Sequence, residues 1–456
     1  MLQIDDKKQG CWTAEYVNNY ERRMSMRKLK YLFLASLMAL TLGTVSADDA
    51  LSKLRATDTL YIGNSGLNSV AKFNANTNDY LGAIQGAECY GPDGAFAGFA
   101  DGVWNAKTSG PCQAFGMFIK AGSLFVANGN NGVYLENSNQ VNVSGDVMQF
   151  LVGNGRLKKK LVSPTDRSGN INVNAPYSPR GALFYRGKIY VADMAEFDPN
   201  DPTADCDGYY AGACKSGSIK IYNPGNGRLI GKMAPDSTFG HVFHPRGIVI
   251  KNGLLYAAVR KLPGEDSADP NGRSGGWVLR FDLATGKFKD VFISSDGSCH
   301  PPTPADANWT RSDCADPSDQ LDRPEGIVFG PDGNIYITSF RYDVEPSDGG
   351  NDNDKIMIFD GVTGAYADQI DLAGPQNTSG QRAFAQALLF GPKGRLIVPI
   401  TSGTEDVGGE VRSYDVGNSS YPYHVIIPAY ASGGPLIGGW NLTYGKTDPA
   451  TLEYTK

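Results

Sequence analysis

One short pattern recurs along this sequence and restricts the folds it can adopt: a Pro-x-Gly or similar step, an apolar run, a tight turn and a second apolar run. Its clearest copy is "RPEGIVFGPDGNIYITSFRY", residues 323–342. Further copies begin at Ser178, His244 and Phe384, and a looser one begins at Gln113. Two β-rich runs joined by a Gly/Asn/Asp turn predict a β-hairpin in each copy.

A second pair of apolar runs follows each hairpin, so each repeat is predicted to be a four-stranded antiparallel unit. Examples are "GGWVLRFDLATGKFKDVFI" from Gly275 and "DKIMIFDGVTGAYADQIDL" from Asp354. Such a unit cannot cover both of its apolar faces alone, so the units are expected to stack around an axis.

The number of units predicts the architecture. Five units are complete, and the segment from Asp58 supplies three strands without the Pro-x-Gly strand. The C-terminal "GGWNLTYGK", from Gly438, has the length and alternation of that missing innermost strand. We therefore expect an all-β protein: a six-bladed β-propeller with four-stranded antiparallel blades, its ring closed by a C-terminal strand. The predicted blades are 58–85 plus 438–445, 113–165, 178–235, 244–295, 323–373 and 384–428.

The N-terminal region is predicted to lie outside the propeller. "MRKLKYLFLASLMALTLGTVSA" has a basic start, a short apolar stretch and a small-residue end, which is typical of a secretory signal. Residues 1–47 are thus interpreted as an upstream extension plus a cleaved signal peptide, and 48–456 as a single propeller domain. An uncleaved membrane anchor is the alternative. The expected location is periplasmic or extracellular, with no transmembrane span after cleavage.

Charge and cysteines agree with an exported protein. The formal net charge of −6 becomes roughly −9 after removal of residues 1–47, which argues against nucleic acid as a partner. Six cysteines then remain, an even number that suits three disulfides in an oxidising compartment. The spacing favours sequential pairing, and free buried thiols are the alternative. The predicted pairs are Cys89–Cys112, Cys206–Cys214 and Cys299–Cys314.

The pattern "PxGIxFGPDGNIYIT … KIMIFDGVTG" resembles the NHL-type repeat and the related six-bladed propellers of streptogramin lyases and gluconolactonase-like proteins. The resemblance covers about residues 55 to 445 and is strongest at 323–364. It implies the propeller fold. It leaves the activity open, because this fold carries lyases, lactonases, binding modules and scaffolds.

The long insertions of the repeats are all predicted to emerge on one face, where they would surround the mouth of a central funnel. Polar residues at equivalent repeat positions are expected to enter this funnel and to hold a polar or anionic small molecule or a protein partner. The alternative is an internal network of charges that ties neighbouring blades together. The candidate ligand-binding residues are Gln113, Arg180, Arg246, Arg260, Glu325, Arg341 and Gln386, and Asn64 is expected at the same mouth.

No cofactor is certain from the sequence. An acidic loop offers oxygen ligands suited to Ca²⁺ or another divalent metal, with a solvated loop as the alternative. The resemblance to gluconolactonase-like enzymes implies a metal held by a Glu, Asn residues and an Asp, for which Glu325, Asn128 and Asp193 are of the right type. The resemblance to streptogramin lyases implies histidines near the funnel, and His244 is the one obvious match. The acidic-loop metal candidates are Asp198, Asp201, Asp205 and Asp207.

Two functions therefore stay open. The first is an exported NHL-like propeller that acts as a ligand- or protein-binding module through its disulfide-stapled loop face. The second is a metal-dependent lyase or lactonase that uses the central funnel, and for it no catalytic residue can be named.

Overall fold

Four-stranded antiparallel sheets are the repeating unit of the computed structural model. The residues that the structure describes are 59–64, 69–85, 99–100, 103–104, 111, 113–129, 144–166, 172–196, 215–261, 275–296, 299, 314–340, 353–372, 382–391, 394–401, 408–445, 447–448 and 453–454. They belong to one compact unit, 57–90 plus 95–456. The predicted extension and signal peptide lie outside the described residues. No helix among the described residues is long and apolar enough to cross a membrane.

Six such sheets form the blades of a propeller, and the strands of each blade are ordered from the innermost to the outermost. Blade 1 contains β26 (Gly439–Tyr444), β1 (Thr59–Asn64), β2 (Ser69–Asn74) and β3 (Tyr80–Gln85). Blade 2 contains β6 (Gln113–Lys120), β7 (Ser123–Gly129), β8 (Asp146–Leu151) and β9 (Leu157–Val162). Blade 3 contains β10 (Pro179–Tyr185), β11 (Lys188–Glu196), β12 (Lys215–Tyr222) and β13 (Leu229–Met233).

The remaining blades follow the same order. Blade 4 contains β14 (Pro245–Lys251), β15 (Leu254–Arg260), β16 (Gly276–Asp282) and β17 (Phe288–Ser295). Blade 5 contains β18 (Ile327–Phe329), β19 (Ile335–Ser339), β20 (Lys355–Phe359) and β21 (Tyr366–Asp371). Blade 6 contains β22 (Leu389–Phe390), β23 (Leu396–Ile400), β24 (Glu410–Tyr414) and β25 (Tyr423–Ile427). Among the described residues, two small hairpins and two 3₁₀ helices lie outside the blades: β4 (Phe99–Ala100) with β5 (Val103–Trp104), β27 (Thr447–Asp448) with β28 (Glu453–Tyr454), Pro317–Gln320 and Tyr430–Ser432.

The C-terminal strand closes the ring, as the sequence predicted. β26 pairs antiparallel with β1, with Leu60 opposite Tyr444 and Ile62 opposite Leu442. Blade 1 is therefore built from both ends of the propeller domain. Without β26, the inner edge of β1 would expose unpaired backbone groups.

The glycine of the Pro-x-Gly step is required by the close approach of neighbouring blades. A Cβ atom added at Gly181 would lie 2.7 Å from the carbonyl oxygen of Arg246 in the next blade. Gly247 stands in the same relation to Glu325, and its N–H donates to the Glu325 carbonyl at 2.7 Å. Any side chain at these positions would push the innermost strands apart, which explains why the step recurs.

The opposite end of the blades is made of tight turns. The turns Ala121–Gly122, Arg186–Gly187 and Asn252–Gly253 have positive φ at both residues, as two-residue hairpin turns of type I′ require. The turns between the third and fourth strands are held by side-chain acceptors. For example, Asp360 Oδ1 accepts from the N–H groups of Val362 and Thr363.

The hydrophobic core lies between the blades. One buried cluster joins Tyr61 and Val70 of blade 1 to Met117 and Leu124 of blade 2. Equivalent clusters join blades 2 and 3, blades 3 and 4, and blades 4 and 5, and a larger one spans blades 5, 6 and 1. Each blade is thus stabilised by burial against both neighbours.

The connections between blades, and those between second and third strands, leave the propeller on one face because successive strands alternate in direction. We call this the loop-rich face. Cys299 and Cys314, in the connection from blade 4 to blade 5, form a disulfide with a Cα–Cα distance of 5.3 Å. The other four predicted cysteines, Cys89, Cys112, Cys206 and Cys214, lie outside the described residues, so their pairing stays a prediction.

Candidate ligand-binding funnel

A cavity lies on the propeller axis, next to the loop-rich face. Every blade contributes part of its innermost segment to the lining. The volume of the cavity is about 80 Å³. That is room for a few waters and well below the ~300 Å³ of a pocket for a drug-sized molecule. The cavity can therefore hold a small ligand or one chemical group of a larger one.

A ring of six side chains, one from each blade, occupies equivalent positions at the loop-rich end of the innermost segments. The strand register defines the equivalence: Arg180 follows Pro179, which pairs with Asp193, and Trp440 follows Gly439, which pairs with Asn64. In blade order the ring consists of Trp440, Phe115, Arg180, Arg246, Glu325 and Gln386. Below it lies a layer of apolar side chains, Met117, Ala182, Ile248, Ile327, Leu388 and Leu442, and Asn441 of blade 1 also lines the cavity.

One side of the ring is a buried ionic network between blades 4 and 5. Arg246 Nε lies 3.4 Å from Glu325 Oε1, and Arg260 Nη2 contacts the same oxygen. The side chains of Arg246 and Glu325 are only 2% and 5% exposed. This part of the mouth matches the alternative of an internal network that ties neighbouring blades.

The other side of the ring is a stack of aromatic rings and a guanidinium across blades 1 to 3. Trp440 and Phe115 are stacked with centroids 4.7 Å apart. The guanidinium carbon of Arg180 lies 4.1 Å from the centroid of Phe115, and Arg180 Nε donates to the sulfur of Met194 at 3.4 Å. This side therefore combines apolar ring surface with a cation–π contact.

Gln386 and Glu325 line the cavity at the positions that the repeat pattern predicted, as do Arg180 and Arg246. Gln113 is not part of the described lining. Phe115 occupies the equivalent position in blade 2. Alignment of Phe115-Gly116 with Arg180-Gly181 could have identified it from the sequence. Arg341 lies outside the described residues.

The side chain near the end of the second strand accepts hydrogen bonds from backbone N–H groups in several blades. The residues at this position include Asn64, Asn128 and Asp193. Asn64 Oδ1 accepts from the N–H of Ile437 at 3.1 Å. Asn128 Oδ1 accepts from the N–H of Gln113 at 3.0 Å. In each case the side chain holds the backbone that leads into the innermost strand of its own blade. Ser339 does the same in blade 5, where its hydroxyl accepts from the N–H of Asp322 at 2.9 Å.

Asp193 is the most heavily engaged of these residues. Its two carboxylate oxygens accept from the N–H groups of Tyr177 and Ser178 at 2.9 and 2.7 Å. Lys220 Nζ lies 2.7 Å from Oδ2 and 3.2 Å from Glu196 Oε2. These contacts engage both carboxylate oxygens of Asp193.

The metal candidates Glu325, Asn128 and Asp193 each contact other groups of the protein, and metal binding by this set stays a prediction. They belong to blades 5, 2 and 3. The described residues contain no group of three His, Cys, Asp or Glu side chains placed to hold a metal ion. Asp198, Asp201, Asp205 and Asp207 lie outside the described residues, so calcium binding by that loop stays a prediction.

His244 is buried at the start of the innermost strand of blade 4. Its exposed fraction is 0%, and neither ring nitrogen has a hydrogen-bond partner among the described residues. Burial, followed by the positive charges of Arg246, Arg260 and Arg180, lowers the pKa of His244 well below its ordinary value. At neutral pH the imidazole is therefore uncharged and lies within electrostatic range of three guanidinium groups.

Comparison with known protein families and with curated proteins gives no match. Solved structures with a similar fold include hydrazine synthase of Kuenenia stuttgartiensis, at 15% identity and a TM-score of 0.43 over 78% of this chain and 73% of that chain. The Dos1 propeller has 11% identity and a TM-score of 0.37 over 81% and 68%. AztD of Citrobacter koseri has 11% identity and a TM-score of 0.33 over 81% and 69%.

These similarities carry no inference about ligand or activity. The six-bladed fold follows from the observed strand pairing, and a fold of this kind hosts unrelated functions. Any function has to be argued from the site itself.

Proposed function

We propose that this protein is an exported binding module that takes one small polar group of its ligand or protein partner into the axial cavity of the loop-rich face. The observation that carries the proposal is the mixed ring around that cavity. The members that line the cavity include a guanidinium, an amide and the ring of Phe115, on which Trp440 stacks, on a scaffold of six packed blades. Ligand sites combine apolar surface with a few polar groups in this way.

Because the cavity is small, the ring by itself can bind only one small group of a ligand. A partner would place one group in the cavity and make its other contacts across the loop-rich face, where the long connections leave the blades. Long connections on a rigid scaffold are where binding sites usually form.

Export is the second part of the proposal. The Cys299–Cys314 disulfide suits an oxidising compartment, and the signal-like segment before residue 48 suits secretion. N-terminal sequencing of the protein recovered from its producing cells tests this part, with Asp48 as the expected first residue. A mature protein that begins before residue 24 would contradict it.

The binding part is tested with Arg180→Gln. Thermal-shift measurements with a panel of small carboxylates, phosphates, amides and sugars are expected to reveal at least one class that raises the Tm of the unsubstituted protein. Arg180→Gln should lose that response because it removes the guanidinium of the ring. Arg228→Gln is the matched control, since Arg228 is an exposed residue in a tight turn of the same blade, on the opposite face.

Equal responses of the unsubstituted protein and Arg180→Gln for every compound would contradict binding at the ring. The Tm of each variant without compound is measured first, so that a folding defect is not taken for a binding defect.

A further inference from the structure

We propose that the group taken into the cavity is an uncharged primary carboxamide, held by the side-chain amides of Gln386 and Asn441 from the neighbouring blades 6 and 1. This proposal rests on the proposed binding function and adds the chemical class of the ligand group. It depends on the position of Asn441, on the hydrogen-bonding state of the two amides and on the uncharged residues around them.

Asn441 occupies a position that is glycine in four of the six blades. It follows Trp440 as Gly181 follows Arg180, so the register that defines the ring also makes Asn441 equivalent to Gly181. Blade 1 therefore carries a carboxamide where the other blades have a hydrogen atom or a methyl group. In blade order the residues at this position are Asn441, Gly116, Gly181, Gly247, Gly326 and Ala387, and all of them line the cavity.

This departure from glycine sets blade 1 apart from the blades that need glycine for packing. A Cβ atom added at Gly116 would lie 2.1 Å from the backbone nitrogen of Ala182, and one added at Gly247 would lie 2.4 Å from the carbonyl oxygen of Glu325. Asn441 carries a full side chain at the same position, so the innermost strand of blade 1 has more room beside it. A position that breaks the packing rule of its own repeat is a candidate for function.

The two amides are accessible, and the described fold does not use them. Gln386 and Asn441 both line the cavity and are partly exposed. In the described part of the chain, neither side-chain amide makes a hydrogen bond. The amides of Asn64 and Asn128, by contrast, hold backbone N–H groups. Each of the two cavity amides can therefore offer a ligand its N–H donors and its oxygen acceptor.

The part of the ring beside these amides is uncharged. From blade 6 to blade 2 its members are Gln386, Trp440 and Phe115. The carboxylate of blade 5, Glu325, already pairs with guanidinium groups of blade 4. A charged group placed beside the two amides would lose its hydration without gaining a counter-charge from them. An uncharged hydrogen-bonding group is therefore favoured on this side of the cavity.

A primary carboxamide suits the two amides better than a hydroxyl group does. It has an N–H donor and an oxygen acceptor on one planar edge, so it can form two hydrogen bonds with one amide and still offer an N–H to the second. A hydroxyl group has one hydrogen to donate. The apolar layer, which includes Met117 and Leu442, suits the carbon atom that bears the carboxamide. A group of this size fits a cavity of about 80 Å³.

Saturation-transfer NMR titrations of the purified mature protein test this proposal with acetamide, sodium acetate, methylammonium chloride and glycerol. Acetamide is expected to bind in a saturable manner. Acetate and methylammonium are charged molecules of similar size, and both should bind at least tenfold more weakly. Glycerol, which offers hydroxyl groups alone, should also bind at least tenfold more weakly.

Asn441→Ala and Gln386→Leu should each weaken acetamide binding at least tenfold. Asn441→Ala leaves the methyl group that Ala387 has at the same position in blade 6, so the fold should tolerate it. Asn76→Ala is the matched control, because Asn76 is exposed in a tight turn of the same blade, on the opposite face. The preference of the unsubstituted protein for acetamide over its charged analogues is a second readout that needs no variant.

The proposal is overturned if acetamide does not bind the unsubstituted protein, if acetate, methylammonium or glycerol binds as tightly, or if both variants keep the affinity of the control. Failure here is distinguishable from failure of the binding function. If another compound of the thermal-shift panel raises the Tm in a manner that depends on Arg180, the cavity binds a different class of ligand and the binding function stands.

Discussion

The two sides of the ring use different interactions for the same task of joining neighbouring blades. Between blades 4 and 5 the contact is ionic, with Glu325 between Arg246 and Arg260. Between blades 1 and 3 it is a stack of Trp440, Phe115 and Arg180. The ring positions are equivalent by register, so the difference comes from the side chains and not from the backbone.

The difference separates a structural side from a side suited to binding. A buried ion pair is strongly destabilised when one partner is removed, because the other charge is then left buried and uncompensated. An aromatic stack with a guanidinium loses only packing and a cation–π contact when it is altered, and its polar edges can still contact a ligand. We therefore expect substitutions on the ionic side to change mainly stability, and substitutions on the stacked side to change mainly binding.

The largest effect is expected from a truncation that removes the strand carrying Trp440, and with it part of the stacked side. A chain that ends before Gly438 lacks β26 and Trp440, so blade 1 loses its innermost strand and β1 gains an exposed edge. This truncation should abolish cooperative thermal unfolding and cause aggregation, measured by calorimetry and light scattering. A chain that ends after residue 446 keeps β26 and should melt cooperatively. An unchanged melting curve for the shorter chain would contradict ring closure as a requirement for stability.

Arg246→Ala tests the ionic side. It leaves Glu325 buried with one fewer partner, and we expect the free energy of unfolding to fall by about 3 to 5 kcal/mol. The control Arg280→Ala removes a more exposed pair with Asp290 in the same blade, and it should cost about 1 kcal/mol or less. Denaturant unfolding measures both. Equal losses for the two variants would show that the network at the ring is not a special source of stability.

Phe115→Leu tests how much the stacked side contributes to stability. The variant keeps an apolar side chain but loses the stack on Trp440 and the contact with Arg180. The expected loss of stability is roughly 1 to 2 kcal/mol, smaller than for Arg246→Ala. A shift in tryptophan emission should accompany it because Trp440 loses its stacking partner. A loss as large as that of Arg246→Ala would remove the proposed distinction between the two sides.

The smallest expected effect is a pH dependence of stability that comes from His244, buried before the innermost strand of blade 4. The pKa of His244 is lowered in the folded protein, so below about pH 6.5 the unfolded chain binds a proton that the folded protein does not. The free energy of unfolding should therefore fall by about 1 kcal/mol between pH 6.5 and 5.5 from this group. His244→Gln should lack that part of the decrease, measured by denaturant unfolding at each pH. Identical pH profiles for the two proteins would contradict a buried neutral His244.

The repeated pattern was sufficient to predict most of the fold. Apolar alternation, type I′ turn residues and the Pro-x-Gly step are local signals, and their number predicted six blades. Even the closing strand was recognisable, because the segment from Asp58 lacks the Pro-x-Gly strand and "GGWNLTY" has the length and alternation to replace it. The ring residues could be predicted from the sequence wherever the repeat has a clear Pro-x-Gly step, as at Arg180, Arg246 and Glu325.

Residue type and repeat position did not determine what each polar side chain contacts. Asn128 and Asp193 have the chemistry of metal ligands, yet in the folded chain they hold backbone N–H groups, and Asp193 also pairs with Lys220. A side chain binds the partners that the final register places beside it.

The sequence by itself thus determined the repeating unit and the number of blades. It also determined which position of each innermost segment contributes a side chain to the ring around the axis. Only the tertiary structure decided which of those side chains meet. Trp440 stacks on Phe115 because ring closure brings the C-terminal strand next to blade 2, and Glu325 of blade 5 contacts Arg246 and Arg260 of blade 4 because those two blades are neighbours at the axis. Local periodicity is set by neighbours along the chain, whereas these contacts join residues that are distant in sequence and exist only once the ring is closed.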